Sequence, residues 1–376
     1  MLELLFLLLP VAAAYGWFMG RNSEKQKELK GRASVTKNLS SGLNFLLTDQ
    51  EDKAIEQLLQ LLDVEAATID TYLALANLFR RRGDWDKAIR IHEKLHQLKL
   101  PKQQAQKIQF ELAKDYFSAG LYDRAEPLLS ALVQAESIRE AVLKQLFSLF
   151  TATHEWQKAM DFRAVVEQTD SRSLRIGVAN FSCEAWRKEP APSDAYRQLI
   201  QRYPVSLRPK YELAKKLIAE EEFTEARELL LAILQQRPQW AAELLPLVEQ
   251  TTPEPAEWQA LLTELSRKHK NISAIAELAQ FYADEQHLQQ AENLLTDKLK
   301  QQPNIRLFLK FIQIRRLQDP SEPHLAEIEQ MLQAYLDTKV LYHCRNCGFK
   351  TKQPYWLCPS CQQWETVEPM TGIDGR

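Results

Sequence analysis

The chain has 376 residues, which is enough for two or three ordinary domains or for one long array of repeats. Its formal net charge is −2, so its overall charge gives no reason to expect binding to nucleic acid or to an anionic membrane surface. Glycine is scarce, with 10 residues, while Leu, Ala, Gln, Glu and Lys dominate. These residues lose little side-chain freedom in a helix, so the composition predicts a mainly α-helical protein.

The N-terminus carries an uncharged, apolar stretch over residues 4–20. As a helix it covers roughly 26 Å, at about 1.5 Å per residue, which is near the lower limit for spanning a bilayer. Pro10 is tolerated in a membrane helix, and Tyr15 and Trp17 suit the membrane–water interface. The sequence therefore predicts a single transmembrane anchor over residues 1–20.

The charges beside this stretch predict its orientation. No Lys or Arg precedes it, and five basic residues follow it within residues 21–32. The positive-inside rule places the N-terminus outside, and puts a basic linker over residues 21–34 and the rest of the chain in the cytoplasm. Two other interpretations are a cleaved signal peptide, whose basic residues would lie on the wrong side, and a buried helix of a soluble domain.

A sequence pattern recurs at intervals of 31 to 37 residues through the middle of the chain. Each copy has an apolar helix, a turn and a second helix that carries an alanine. These alanines mark the register of the repeat: Ala54, Ala88, Ala125, Ala159, Ala195, Ala226 and Ala291. The gap between the last two is about twice the repeat length. A degenerate copy around Trp258 and Ala260 fills this gap, and another is expected near Ala326. The pattern resembles the tetratricopeptide repeat, in about eight or nine copies over residues 35–338.

The repeat is a helical hairpin that cannot bury its apolar face alone. A small residue such as Ala76 permits close packing, and Phe79 fills the adjoining space. Gly83 supplies the turn, and a proline such as Pro238 ends the second helix. Stacked hairpins form a superhelical solenoid with an extended binding surface, so the middle of the chain is predicted to be a docking scaffold rather than an enzyme.

Four of the five cysteines form two Cys-x-x-Cys hooks near the C-terminus: Cys344, Cys347, Cys358 and Cys361. Two such hooks place four thiolates around one tetrahedral metal ion, and four thiolates suit zinc and iron alike. The hooks resemble rubredoxin knuckles, which predicts a small metal-binding domain over residues 339–376. Because protein atoms fill all four positions, the site is expected to be structural, or at most an electron-transfer or sensing centre.

The surroundings of the hooks support this interpretation. Gly348 permits the backbone to turn beneath the metal, whereas the second hook has Gln362 at that place. Phe349, Tyr355 and Trp356 are expected to contribute to a small sheet, and Trp364 to cover the metal site. Disulfides and a redox dithiol are the alternatives, but an odd number of clustered cysteines favours metal binding in a reducing compartment.

One motif in the repeats imitates a catalytic site. The segment from His92 to His96 matches the HExxH pattern of zinc proteases, with Glu93 between the two histidines. His92 nevertheless occupies the register position that other copies fill with leucine, and no third ligand or cleft accompanies it. We expect a packed histidine there, and likewise a packed thiol at Cys183.

The order of parts, an apolar N-terminal anchor, a tetratricopeptide array and the CRNCGF and CPSC hooks, resembles the lipopolysaccharide assembly protein B family of Gram-negative bacteria. The resemblance covers the whole chain and implies a single-pass protein of the bacterial inner membrane, with its N-terminus in the periplasm. It also implies that the metal-binding domain packs against the repeats and is needed for function.

The resemblance further implies an adaptor that helps the membrane-bound AAA+ protease FtsH degrade the deacetylase of the committed step of lipid A synthesis. A membrane regulator of the same pathway and lipopolysaccharide assembly proteins are its other implied partners. A metal- or redox-sensing scaffold and a general envelope-assembly chaperone are alternative functions, and homo-oligomerisation is possible on this sequence.

Overall fold

The computed structural model describes residues 69–268 and 271–375. The predicted anchor over residues 1–20, the basic linker over residues 21–34 and the first copies of the array lie outside this part of the chain and stay predictions. Within the described residues, no helix combines the length and the apolar content that crossing a membrane requires.

The chain divides into two compact units, Met1–Leu149 and Phe150–Arg376. In the first unit, the core is formed by inward-facing apolar residues of successive helices, including Tyr72, Phe79 and Leu95. The helices described there, the last of which continues into the second unit, are α1 (Ile69–Arg82), α2 (Trp85–His96), α3 (Lys102–Ser118), α4 (Tyr122–Leu132) and α5 (Arg139–Thr153).

The second unit contains further helices, one 3-10 turn (Pro238–Trp240) and a small sheet. Its helices are α6 (Trp156–Asp161), α7 (Arg163–Glu167), α8 (Arg172–Ala185), α9 (Ser193–Arg202), α10 (Arg208–Ala219), α11 (Phe223–Gln236), α12 (Ala241–Gln250), α13 (Pro255–Lys268), α14 (Ile272–Asp284), α15 (Leu288–Gln301), α16 (Ile305–Gln318) and α17 (Pro323–Asp337). Its strands are β1 (Tyr342–Cys344), β2 (Lys350–Thr351) and β3 (Val367–Pro369).

The predicted mainly helical, tetratricopeptide-type fold with a small C-terminal ribbon is confirmed. The small residues of the repeat sit where two helices touch, since the first-helix positions Ala76, Ala113, Ala214 and Ala279 are fully buried. The same holds for the register alanines of the second helices: Ala88, Ala125, Ala159, Ala226 and Ala291.

Two alanines of the predicted register do not have this role. Ala195 in α9 is only half-buried, and Tyr196 and Leu199 provide the buried face of that helix. Ala260 is exposed, because Trp258 and Leu262 set the inward face of α13 four residues apart. Assigning Ala260 to the helix contact was therefore wrong.

The turns inside the repeats share one backbone geometry. Gly83 and Gly120 have left-handed φ angles of +87° and +75°, as the sequence predicts for glycine in a turn. His154, Glu221 and Gln286 take the same position in later repeats, with φ between 57° and 62°. In each copy, the residue that follows the left-handed one donates its backbone amide to a carbonyl in the preceding helix. Donor and acceptor are five residues apart, as between Asp84 and Phe79, which is the pattern of a Schellman motif. Sequence reasoning found the two glycine turns and missed the other three.

The three strands form an antiparallel sheet in the order β2-β1-β3. Tyr342 pairs with Thr351 on one side and with Pro369 on the other, and Cys344 pairs with Val367. The pairing of β1 with β3 thereby places the first cysteine hook beside the C-terminal strand of the ribbon.

Candidate metal centre and its seat on the repeats

The two cysteine hooks have the same backbone conformation. The residue after each hook is left-handed, with φ of +76° at Gly348 and +53° at Gln362. The amide of Gly348 donates to the carbonyl of Cys344 at 2.8 Å, and the amide of Gln362 donates to the carbonyl of Cys358 at 2.9 Å. The second hook therefore makes the knuckle turn without the glycine that the first one uses.

The four sulfurs lie at the corners of one compact group. The Sγ atoms of Cys344, Cys347, Cys358 and Cys361 all lie within 4.8 Å of one another. Two of the pairs, Cys344 with Cys361 and Cys347 with Cys358, are 3.7 Å apart. Tetrahedral zinc or iron with metal–sulfur bonds of about 2.3 Å requires sulfur–sulfur distances of about 3.8 Å. The cluster thus fits one metal ion bound by four cysteines.

The thiols of Cys344 and Cys358 differ in their pKa. Burial alone would raise the pKa of the Cys344 thiol, but its hydrogen bonds with the Thr366 hydroxyl and with the backbone amides of Cys347 and Asn346 outweigh it and lower the pKa to about 6. Burial, followed by contacts with the neighbouring cysteines, raises the pKa of Cys358 to about 12. A bound cation would remove the penalty for ionising the second thiol beside the first.

The metal-binding ribbon is seated on the repeats through the carboxylate of Glu365. This carboxylate accepts hydrogen bonds from Asn180 Nδ2 at 2.9 Å and from the Ser206 hydroxyl. It also accepts from the backbone amides of Leu207 at 3.0 Å and Arg208 at 3.3 Å, at the start of α10. A negative charge at a helix N-terminus is favourable because the first amides of the helix have no partner within it.

Aromatic rings extend the contact on both sides of Glu365. Trp356 of the ribbon stacks on Trp240 with ring centroids 5.8 Å apart and planes 6° from parallel. Trp364 meets Phe181 edge to face at 5.6 Å. The guanidinium of the buried Arg208 lies between the ribbon and the repeats. It is 6.0 Å from the centre of the Trp356 ring and 6.0 Å from that of Trp364.

Two expectations about these aromatic residues were wrong. Trp364 packs on the repeats rather than over the metal site, and Trp356 faces Trp240 rather than joining the sheet, whose second strand is Lys350–Thr351. Tyr355 is 39% exposed. Trp356 and Trp364 therefore serve the contact with the helices, whereas Phe349 packs against the core of the ribbon.

Polar contacts complete the seat. Tyr342 donates from its hydroxyl to Glu243, and Glu368 lies 3.4 Å from Arg237 and 3.3 Å from Gln239. Further along the chain, the carbonyl of Ile373 accepts from the amide of Ile305 at 2.9 Å, which ties the C-terminal segment to the start of α16. The packing of the metal-binding domain against the repeats, implied by the family resemblance, is present in the structure.

The HExxH segment has a different environment. The fully buried ring of His92 makes a hydrogen bond through Nδ1 with Asp115, which also accepts from Arg80 at 2.7 Å. Glu93 accepts from the Tyr116 hydroxyl. In the described part of the chain, the four cysteines are the only group of three or more His, Cys, Asp or Glu residues placed to hold a metal ion. His92 is a packed and paired core residue there.

The remaining cysteine is also a core residue. Cys183 in α8 is 4% exposed, and burial raises the pKa of its thiol to about 12. A thiol with so high a pKa is not a nucleophile near neutral pH.

Together, the hairpins and the four-cysteine ribbon define the class: a tetratricopeptide-type protein with a C-terminal rubredoxin-like metal-binding domain. The profile of the rubredoxin metal binding domain matches residues 342–369, and that of the tetratricopeptide repeat matches residues 71–106. The chain is 34% identical to lipopolysaccharide assembly protein B of Escherichia coli K12 over 389 residues, covering 100% of both chains. It is 30% identical to the protein of the same name from Haemophilus influenzae over 399 residues, covering 99% of each. The chain therefore belongs to the lipopolysaccharide assembly protein B family.

A solved structure of lower similarity is a tetratricopeptide repeat protein from Parabacteroides merdae. It is 17% identical, with a TM-score of 0.32, and the match covers 62% of this chain and 90% of that one.

The residues that seat the ribbon were not found from the sequence. Arg208 has no motif around it, and the spacing of the cysteines assigns no role to Tyr342 or Glu365, whose partners lie as far as 185 residues away along the chain. Only the density of aromatic residues around the hooks hinted that this small domain had a partner surface.

Proposed function

We propose that the protein is a non-enzymatic adaptor of lipopolysaccharide assembly that acts at the bacterial inner membrane. The observation that carries this proposal is its end-to-end relationship to proteins named lipopolysaccharide assembly protein B, at 34% and 30% identity. A shared order of parts over the full length supports a shared role more strongly than a shared repeat would, because tetratricopeptide hairpins serve many functions.

In the proposed mechanism the protein brings the lipid A committed-step deacetylase to the membrane protease FtsH and so limits lipopolysaccharide synthesis. Helical hairpins supply binding surface, and the four protein ligands of the metal centre leave no coordination position for a substrate. The metal's contribution when bound is to hold the ribbon together. The residues around Glu365 then keep the ribbon on the helices.

The proposal includes a membrane tether. The apolar stretch over residues 4–20 and the five basic residues within 21–32 support a single span with its N-terminus in the periplasm and the repeats in the cytoplasm. A tether places the adaptor and the protease on the same surface, which raises their effective concentration without any new contact.

Removing residues 2–20 tests the adaptor role. In cells that lack the native protein, the truncated chain should fail to shorten the half-life of the deacetylase, while purified truncated chain should still bind the deacetylase in solution. The half-life is measured by blocking protein synthesis and following the deacetylase by immunoblot.

A matched control replaces residues 1–20 with an unrelated single-pass anchor of the same orientation, which should restore rapid degradation. Full regulation by the untethered chain would contradict the membrane tether. Loss of deacetylase binding by every form of the protein would contradict the adaptor role itself.

A second function, metal or redox sensing, is favoured by one observation. Cys347 is exposed and Cys361 is half-buried, so two of the four cysteine residues lie at the surface of the ribbon, where oxidants and chelators arrive. Metal analysis of protein purified without added metal separates the two functions. Iron with a reversible colour change on oxidation would favour sensing, whereas colourless zinc would favour a structural centre.

A further inference from the structure

A cleft of about 1430 Å³ runs between the repeats and the ribbon within the second unit. One wall comes from α8, α9 and α10, and the other from residues 354–359 and Trp364 of the ribbon. The cleft exceeds the range of roughly 300–1,000 Å³ that is typical of small-molecule sites, which favours a polymer as its occupant.

The charge of the cleft is positive. Five cationic residues line it, namely Arg187, Lys188, Arg208, Lys215 and Lys216, against two carboxylates, an excess of three positive charges. The carboxylates are already used, because Glu184 lies 2.8 Å and Glu212 lies 3.5 Å from the buried guanidinium of Arg208. In the described structure Lys188 and Lys215 are exposed and have no carboxylate within ion-pair distance.

Aromatic residues line the cleft beside these cations. Trp186 and Tyr196 meet edge to face at 4.9 Å on the repeat wall, and Tyr355 is 39% exposed on the ribbon wall. Flat aromatic walls suit an extended peptide, which offers apolar side chains to the rings and leaves its backbone free to follow the groove.

We propose that this cleft binds an extended acidic segment of a partner protein, with acidic side chains at Lys188 and Lys215 and apolar ones at Trp186 and Tyr355. The proposal rests on the adaptor function proposed above and assigns a surface and a chemistry to one partner. A peptide is favoured over nucleic acid because the chain as a whole has a net charge of −2. Both walls are needed, so binding requires a seated ribbon.

The test is a selection with a random 12-residue peptide library on the full-length chain in detergent. Enriched peptides should be net negative and contain apolar residues. The double variant Lys188→Glu/Lys215→Glu should weaken their binding at least about tenfold, measured by fluorescence anisotropy, because reversing close charges acts strongly across an interface. Tyr355→Ala, on the ribbon wall, should weaken binding by several-fold.

The matched control Lys99→Glu/Lys102→Glu makes the same charge change on exposed lysines that do not line the cleft, and should bind the peptides like the wild type. The proposal is overturned if no peptide is enriched, if the enriched peptides are neutral or basic, or if the cleft variant binds them equally well. Tighter binding of a poly(U) oligonucleotide that is lost in the cleft variant would also overturn it. Any of these results, together with intact deacetylase degradation, would remove the cleft and leave the adaptor function standing.

Discussion

At the scale of single residues, Glu365 is the side chain through which the ribbon makes several hydrogen bonds to the helices, and it was not among the residues predicted from the sequence. Its carboxylate faces two backbone amides, an amide side chain and a hydroxyl, all of them donors. A neutral amide at this place would keep the shape but lose the charge, and its NH₂ group would face donors instead of accepting from them.

Glu365→Gln should therefore lower the stability of the seated ribbon by about 1.5–3 kcal/mol, the range for hydrogen bonds to charged groups. Urea unfolding followed by tryptophan fluorescence measures this, since Trp356 and Trp364 lie in the contact. Glu368→Gln is the matched control, because its contacts are longer, at 3.3 and 3.4 Å, and its effect should be smaller. Equal effects of the two changes would contradict the role given to Glu365.

At the left-handed turn residues, a substitution is predicted to stabilise the fold rather than to destabilise it. Gln286 has φ of +62° and is exposed, so Gln286→Gly should raise the free energy of unfolding by about 1 kcal/mol, because the left-handed region strains a residue with a Cβ. Its neighbour Glu285, at φ −78°, is the control, and Glu285→Gly should destabilise. Thermal unfolding of the wild type and both variants measures these changes in stability. Destabilisation by Gln286→Gly would show that the turn is not strained.

What could be predicted differs sharply between these residues. The four cysteines follow from their spacing alone, because a tetrahedral ion demands it. Gln286 could have been found by aligning the turn of its repeat with Gly83 and Gly120, whose conformation it shares. Glu365 could not, because its role depends on amides at Leu207 and Arg208 that come near it only in the folded chain.

At the scale of elements, the ribbon is too small to be stable without help. Its apolar core has four buried residues, Tyr342, Cys344, Cys358 and Val367, two of which are members of the metal cluster. A domain of this size depends on its metal for much of its folding energy.

Cys344→Ser/Cys347→Ser should therefore unfold the ribbon and leave the helices folded. The expected results are loss of bound metal, rapid protease cleavage after residue 338, and a nearly unchanged helical circular dichroism signal. Cys183→Ala is the control and should keep the metal, because that thiol is buried in α8 away from the cluster. Loss of the helical signal in the double variant would mean that the ribbon is part of the folding core of the repeats.

The helical hairpins were the most predictable elements. Period and small residues fix which face of a helix is buried, and the fully buried Ala88, Ala125 and Ala226 follow that pattern. Prediction failed at Ala195 and Ala260, where a neighbouring large residue, Tyr196 or Trp258, sets the buried face instead. A small residue marks a close helix contact only when no larger one nearby takes the inward position.

At the scale of the whole molecule, the family relationship covers the chain from end to end, and the described part combines the two domains that define it. In the second unit, ribbon and repeats form one continuous surface, with Arg208 between Trp356 and Trp364. We infer that this joint surface, rather than either domain alone, is what the proposed adaptor presents to its partners.

The most direct test of this account is the half-life of the lipid A committed-step deacetylase in cells whose only copy of the protein is the full-length Cys344→Ser/Cys347→Ser variant. The variant and the wild type are compared at equal abundance, with Cys183→Ala as the control. The account predicts that the deacetylase persists in the double variant as long as in cells without the protein, and is degraded rapidly with the control. Rapid degradation in the double variant would contradict it, because the adaptor would then work without a metal-held ribbon.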